Sequence, residues 1–262
     1  MRAAFKHFSI HSLFMFVMLC LLAQPVWADD PAQHPPGKAP APAEDPNKII
    51  ATVLGKDIAA KDRATANGLI VSALMNKYAE DHKIVPTETE IDTFIERTDV
   101  LKKQQIEQIE QKRDRLKEEL ADAGLKGKPR QEKEKTLKAL EQVLQSLNRE
   151  QEQMKGREEQ MRAMKRRMAG HFVRHWKLNK ALYEQYGGRV IFQQAGPEPL
   201  DAYRDFLKEQ EKAGAFKLID PSLSEPFWHY FTNDAMHTFY PEKEGDKFIQ
   251  TPWWTMDAPP LK

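Results

Sequence analysis

The sequence predicts a mostly α-helical protein: a helical body with a short strand element at its start, interrupted by an inserted antiparallel coiled-coil hairpin. Three observations lead there. Of the 70 residues from Asp99 to Met168, 33 are Lys, Arg, Asp or Glu and none is aromatic, whereas 17 of the chain's 24 aromatics lie from Gly170 onward. Apolar residues inside the charged stretch recur three, four or seven apart, which is helical spacing. Gly124, Gly127 and Pro129 fall between two such runs, where a tight connection needs residues that stop one helix and start the next. The body is thus assigned to residues 48–98 plus 169–250, the hairpin to 99–168, and 251–262 to an irregular tail.

In chain order, residues 1–28 read as an export signal. Arg2 and Lys6 give a positive start, Leu13 to Leu22 an apolar run too short for a comfortable span, and Val26-Trp27-Ala28 the small residues that a signal peptidase accepts. Cleavage after Ala28 places the mature chain in the periplasm without an integral membrane span. It also removes Cys20, the single cysteine, and with it disulfides, cysteine nucleophiles and thiolate metal sites. The mature chain carries 38 basic against 39 acidic residues, since Arg2 and Lys6 leave the 40 basic ones. Near-neutral charge gives nucleic-acid binding no overall electrostatic support. Residues 29–47 hold six prolines and read as an extended, solvated linker.

The folded part begins at Lys48. Ile49 to Leu54 reads as a strand with Gly55-Lys56 as its turn, and Ala60 to Asp81 as a helix presenting Ile70, Val71, Leu74, Met75 and Tyr78. Thr87-Glu88-Thr89-Glu90 is a capping box, and the helix it starts buries Ile91, Phe94 and Ile95 before running into the charged stretch. There, Ile106, Ile109, Leu116, Leu120 and Ala123 form one narrow stripe. Leu137, Leu140, Leu144, Leu147, Met154, Met161 and Met168 form the other, close to a coiled-coil seam. Opposite charges four apart, such as Asp99 and Lys103 or Glu158 and Arg162, favour helix over disorder. The stretch has a net charge of +5, 19 basic minus 14 acidic residues.

Beyond it, His171 to Tyr186 continues as helix with Phe172, Trp176 and Tyr183 apolar, and Gly187 ends it. Val190 to Phe192 reads as a short strand, Pro199 to Lys212 as a helix stopped by Gly214. Ser224 reads as the cap of a further helix with Pro226 in its first turn.

The run from Ile49 to Ile58, the apolar helix ending near Tyr78-Ala79, and Ile84-Val-Pro-Thr-Glu-Thr-Glu-Ile-Asp92 together resemble the opening of the SurA N-terminal domain of periplasmic chaperones. The resemblance implies a body in which N-terminal helices pair with a C-terminal segment, and a protein that binds unfolded or extended polypeptides, with outer-membrane proteins as candidate clients. Prolyl isomerase domains of the parvulin type accompany that family in some members. The Gly187-Gly188 pair is similar to a parvulin feature, but no sheet-rich parvulin domain surrounds it. The charged hairpin is a departure from the family pattern.

Neither a nucleophile elbow, a Walker loop nor a dinucleotide fingerprint is present, and nothing singles out a catalytic pair or a cofactor site. His171 and His175 stand four apart on a helix, a spacing that suits a divalent metal, but no Glu follows His171 and no third ligand is implied; no metal is assigned. Two sets of residues are candidates for client contact. Met154, Met161, Met164 and Met168 offer adaptable thioethers on the hairpin, with a plain seam as the alternative. Trp176, Phe227, Trp228, Tyr230 and Phe231 offer rigid aromatic surface, with core filling as the alternative. The reading is a non-catalytic, chaperone-like periplasmic protein. A prolyl isomerase, or an envelope scaffold that homodimerises through the coiled coil, are the alternatives from other classes.

Overall fold

The computed structural model describes residues 45–193 and 196–256, without the side chains of Gln151, Met154 and Phe192. The export signal and most of the Pro-rich linker lie outside the described residues. Helix dominates, as composition and periodicity predict, and the described chain divides into two compact units. One is the body, residues up to Pro86 together with Phe172 onward; the other is Thr87–His171. The division falls at Thr87, where the sequence reading places it at Asp99.

The body opens on a β-hairpin, β1 (Ile49–Val53) and β2 (Lys56–Ala59). Leu54 and Gly55 turn it with φ of +48° and +76°, so both central residues are left-handed, as a type I′ turn requires. A third strand, β5 (Phe216–Leu218), pairs antiparallel with the other edge of β1, setting Val53 opposite both Lys56 and Phe216. A 3₁₀ turn, Ala60–Thr65, follows β2, and Arg63 in it reaches Asp220 just past β5 at 2.6 Å. Arg63 and the Ser222 hydroxyl and amide hold the Asp220 carboxyl far below the usual range.

Helix α1 (Ala66–Asp81) buries Ile70, Val71, Leu74, Met75 and Tyr78, the face its periodicity predicts, against β1. After the second unit the body resumes within a helix and closes with β3 (Ile191–Gln193), β4 (Gly196–Glu198) and a helix at Leu200–Lys212. That helix buries Leu200, Ala202, Tyr203, Phe206 and Leu207. Gly214, with φ +74°, ends it as expected, and Ala215 N–H donates back to Gln210 O. Two more helices follow, Ser224–Thr232 and Glu242–Gln250. The first is entered through a 3₁₀ turn at Pro221–Leu223 whose cap is Asp220, its Oδ1 accepting from Ser222 N–H at 2.9 Å. Ser224 is therefore not the cap: its backbone is already helical, Leu223 stands at the N-cap position without a side-chain bond, and Asp220 caps the preceding 3₁₀ turn. The described part of the tail, 251–256, is not irregular as predicted, since Trp253–Thr255 is a 3₁₀ turn that buries Trp253 and Trp254.

The second unit is built from α2 (Glu88–Ala121), α3 (Gly127–Met154) and the first half of α4 (Glu158–Tyr186). The capping box forms as read: Thr87 Oγ1 accepts from Glu90 N–H and Glu90 Oε2 from Thr87 N–H. With 34 residues, α2 spans about 51 Å. The bridges Lys133–Glu119 and Lys117–Glu141 place α3 antiparallel to α2, with Ile109 and Leu140 buried. One expectation fails here. The stripe from Leu137 to Met168 is not one helix, because the chain breaks after Met154 and restarts at Glu158, with Gly156 at φ +80°. An L side chain rarely takes that conformation, so Gly156 is the residue that permits the break. The return half of the hairpin is thus two helices, the second tied to the base of α2 by Lys165–Asp99 and by Arg166 to Glu88 and Asp92.

Taking the rest in order, α5 is Leu200–Lys212, α6 is Ser224–Thr232 and α7 is Glu242–Gln250.

Candidate functional site

The predicted contact residues separate into two groups. On the hairpin unit, Met164 is 42% exposed and Met161 and Met168 are half-buried; the Met154 side chain lies outside the described atoms. Val100 follows Asp99 and Met164 precedes Lys165, so the antiparallel bridge between Asp99 and Lys165 sets these two apolar side chains at one level of the helix pair. Val100, at 45%, is also exposed. The sequence reading did not single it out, because it lies off both stripes. The Leu stripe of α3 is turned inward, Leu140 fully and its neighbours in part.

In the body the aromatic candidates are mostly core. Phe227 and Phe231 on α6 are 1% and 2% exposed, and Phe227 packs on Phe216 of β5 at 5.2 Å between centroids. Neither can touch a client in the folded body, which corrects their assignment as contact residues. The reason is amphipathicity: four apart on a nine-residue helix, they form its one apolar face. Trp228 is half-buried, edge-on to Phe227. Trp176 on α4 is half-buried, packed edge-on to Trp254 at 5.5 Å with Lys180 Nζ above its ring. Its Nε1–H is buried without a hydrogen-bond partner.

Tyr230 proves to be part of a polar cluster that sequence reasoning missed. Its hydroxyl donates to Glu198 Oε1 of β4 at 3.0 Å and accepts from Gln193 Nε2 of β3 at 2.7 Å. Beside it, Tyr203 of α5 donates to Asn179 Oδ1 at 2.7 Å, and Asn179 Nδ2 donates to Pro197 O at 2.9 Å. Glu198, Asn179 and Tyr203 are all buried. Burial pushes the Glu198 carboxyl up to about 7, the Tyr230 hydrogen bond opposing the shift only in part. Burial and the adjacent Glu198 push the Tyr230 hydroxyl well above its ordinary value.

A second cluster joins α5 to the turn after α6. Arg189 grips Asp201 through its backbone N–H, Nε and Nη2, and Asp234 through both terminal nitrogens, with its guanidinium 4.3 Å over the Phe239 ring. Arg204 adds a third contact to Asp201 at 2.8 Å. Burial raises the Asp201 carboxyl, but the two arginines outweigh it and hold it below its ordinary value. Gly188 is required here, since a Cβ would lie 2.4 Å from that of Asp201. The i, i+3 spacing of Asp201 and Arg204 is the one sequence signal that could have marked this cluster.

His171 and His175 lie on α4, and among the described residues no group of three His, Cys, Asp or Glu side chains could hold a metal ion. Among the described residues no helix is long and apolar enough to cross a membrane. No known protein family, curated protein or solved structure matches this chain.

Proposed function

We propose that this is a chaperone-like protein of the periplasm that binds unfolded or extended polypeptide through its helical hairpin, without catalysis of its own. The observation that carries the reading is the exposure of Met164 and Val100, with Met161 and Met168 half-buried, on a unit otherwise covered in charges of both signs. Thioether side chains adapt to irregular apolar partners, and surrounding charge keeps such a patch soluble when it is empty. The resemblance of Ile49–Asp92 to the SurA N-terminal domain and the export signal support the same reading. The aromatic body supplies stability rather than contact.

The purified mature protein should slow aggregation of an unfolded outer-membrane protein. Replacing Met161, Met164 and Met168 together by Gln should weaken that effect about tenfold, while the far-ultraviolet spectrum stays unchanged; loss of one or two buried thioether contacts accounts for about 1.4 kcal/mol. Undiminished protection by the triple variant would sink the hairpin as the contact surface.

A further inference from the structure

Glu198 is a carboxyl group for which the proposed function has no use, in a place where carboxylates rarely sit. It is 5% exposed, and its bonded partner is a phenol rather than a cation. Around it, β3 contributes Gln193, α4 contributes Asn179, and α6 contributes Tyr230. From α5 come Tyr203 and, two residues before it, Asp201, whose carboxylate is committed to Arg189 and Arg204. His237, beyond α6, lies with Nε2 2.6 Å from Tyr230 O, on the backbone side of that residue. No arginine, lysine or histidine among the described residues pairs with Glu198. A charged carboxylate in such surroundings is left largely uncompensated.

The element that carries it is short. The strand β4 is three residues long and pairs only with β3 within its sheet. It is held from outside by α7, by Asn179 to Pro197 O, by Tyr230 to Glu198, and by the Trp253 indole, which covers Gly196 so closely that a Cβ there would sit 3.0 Å from Nε1; the charged residues of α7, Glu242, Lys243, Glu244, Asp246 and Lys247, make no bond to Glu198 among the described residues. We propose that Glu198 is a proton-dependent latch: with its carboxyl protonated β4 stays docked against α6 and α7, and loss of that proton releases β4 into solvent. The sign follows from burial. A carboxyl whose buried value stands near 7, above the 4.5 it has in water, keeps its proton only while docked. Docking therefore weakens as pH rises through neutrality.

Amide hydrogen exchange tests this when wild type and Glu198→Gln are compared at matched pH, which cancels the intrinsic pH dependence of exchange. Near pH 5 the two proteins should protect β4 equally. At about pH 8.5, above both the free and the buried value, wild type should exchange β4 on the order of a hundredfold faster than the variant. Equal protection of β4 in the two proteins at both pH values overturns the latch, and so does a pH-dependent loss of protection that persists in Glu198→Gln. Tyr230→Phe provides a second arm that does not depend on the Gln variant folding. Removing the hydroxyl that stabilises the docked carboxylate should raise its docked value further and widen the loss of β4 protection between pH 5 and pH 8.5, and a loss no larger than in wild type refutes the proposal.

Discussion

Single residues show most plainly which kinds of side chain declare their role in a sequence. Asp201 is buried, carries a charge and is met by two arginines, so its ionised form is favoured in the folded state. The consequence for pH is definite: a carboxyl held below its ordinary 3.8 contributes stability that is complete above that value and is lost as pH falls through its lowered one. Asp201→Asn should therefore cost about 2 kcal/mol at neutral pH, allowing for the partly exposed arginines, and should lose less stability on acidification than wild type in urea titrations. Neither Asp201 nor Glu198 was legible beforehand, because a carboxylate bound for the core has the same letter as one bound for water. Phe227 and Phe231 illustrate the converse. Their burial was foreseeable as one of two readings, and only the partner strand β5, invisible in the sequence, decides for the core.

Among elements, legibility followed length. The helices α2 and α5, the end of α1, the capping box at Thr87, the stop at Gly214 and the strand β1 all appear where period and punctuation put them, whereas the stretch Ala60–Thr65, read as the start of α1, is a 3₁₀ turn. The strands β4 and β5 have three residues each, too few for any alternation to register, and α7 spends most of its nine residues on charge. The break at Gly156 was hidden because the heptad spacing continues across it. The β1–β2 turn exposes a different gap. Leu54 occupies a left-handed position that favours Asn or Gly, with its side chain 39% exposed, so no packing requires leucine there. Leu54→Asn should stabilise the protein by about 1 kcal/mol, raising the thermal midpoint by a few degrees; a lower midpoint would mean that the leucine side chain has a contact of value.

For the whole molecule, the decisive fact is that the hairpin unit is continuous in sequence while the body is not. Replacing Thr87–His171 by a short flexible linker should leave a body that still unfolds cooperatively with its near-ultraviolet aromatic signal intact, since the core cluster from Ile50 to Phe231 draws on no residue of the excised unit. The same protein should no longer protect an aggregating client. A truncated body that cannot fold would show the hairpin to be structural. The discontinuity also sets a schedule. Thr52 finds Lys217 across the sheet, so a chain emerging from a ribosome or threading through a translocon must present β1 with one bare edge until nearly all of the protein has followed. The hairpin unit needs nothing later than His171. It can finish folding while the body waits, and the late, long-range closure of β1 by β5 becomes the slow and aggregation-prone step in the life of each new molecule.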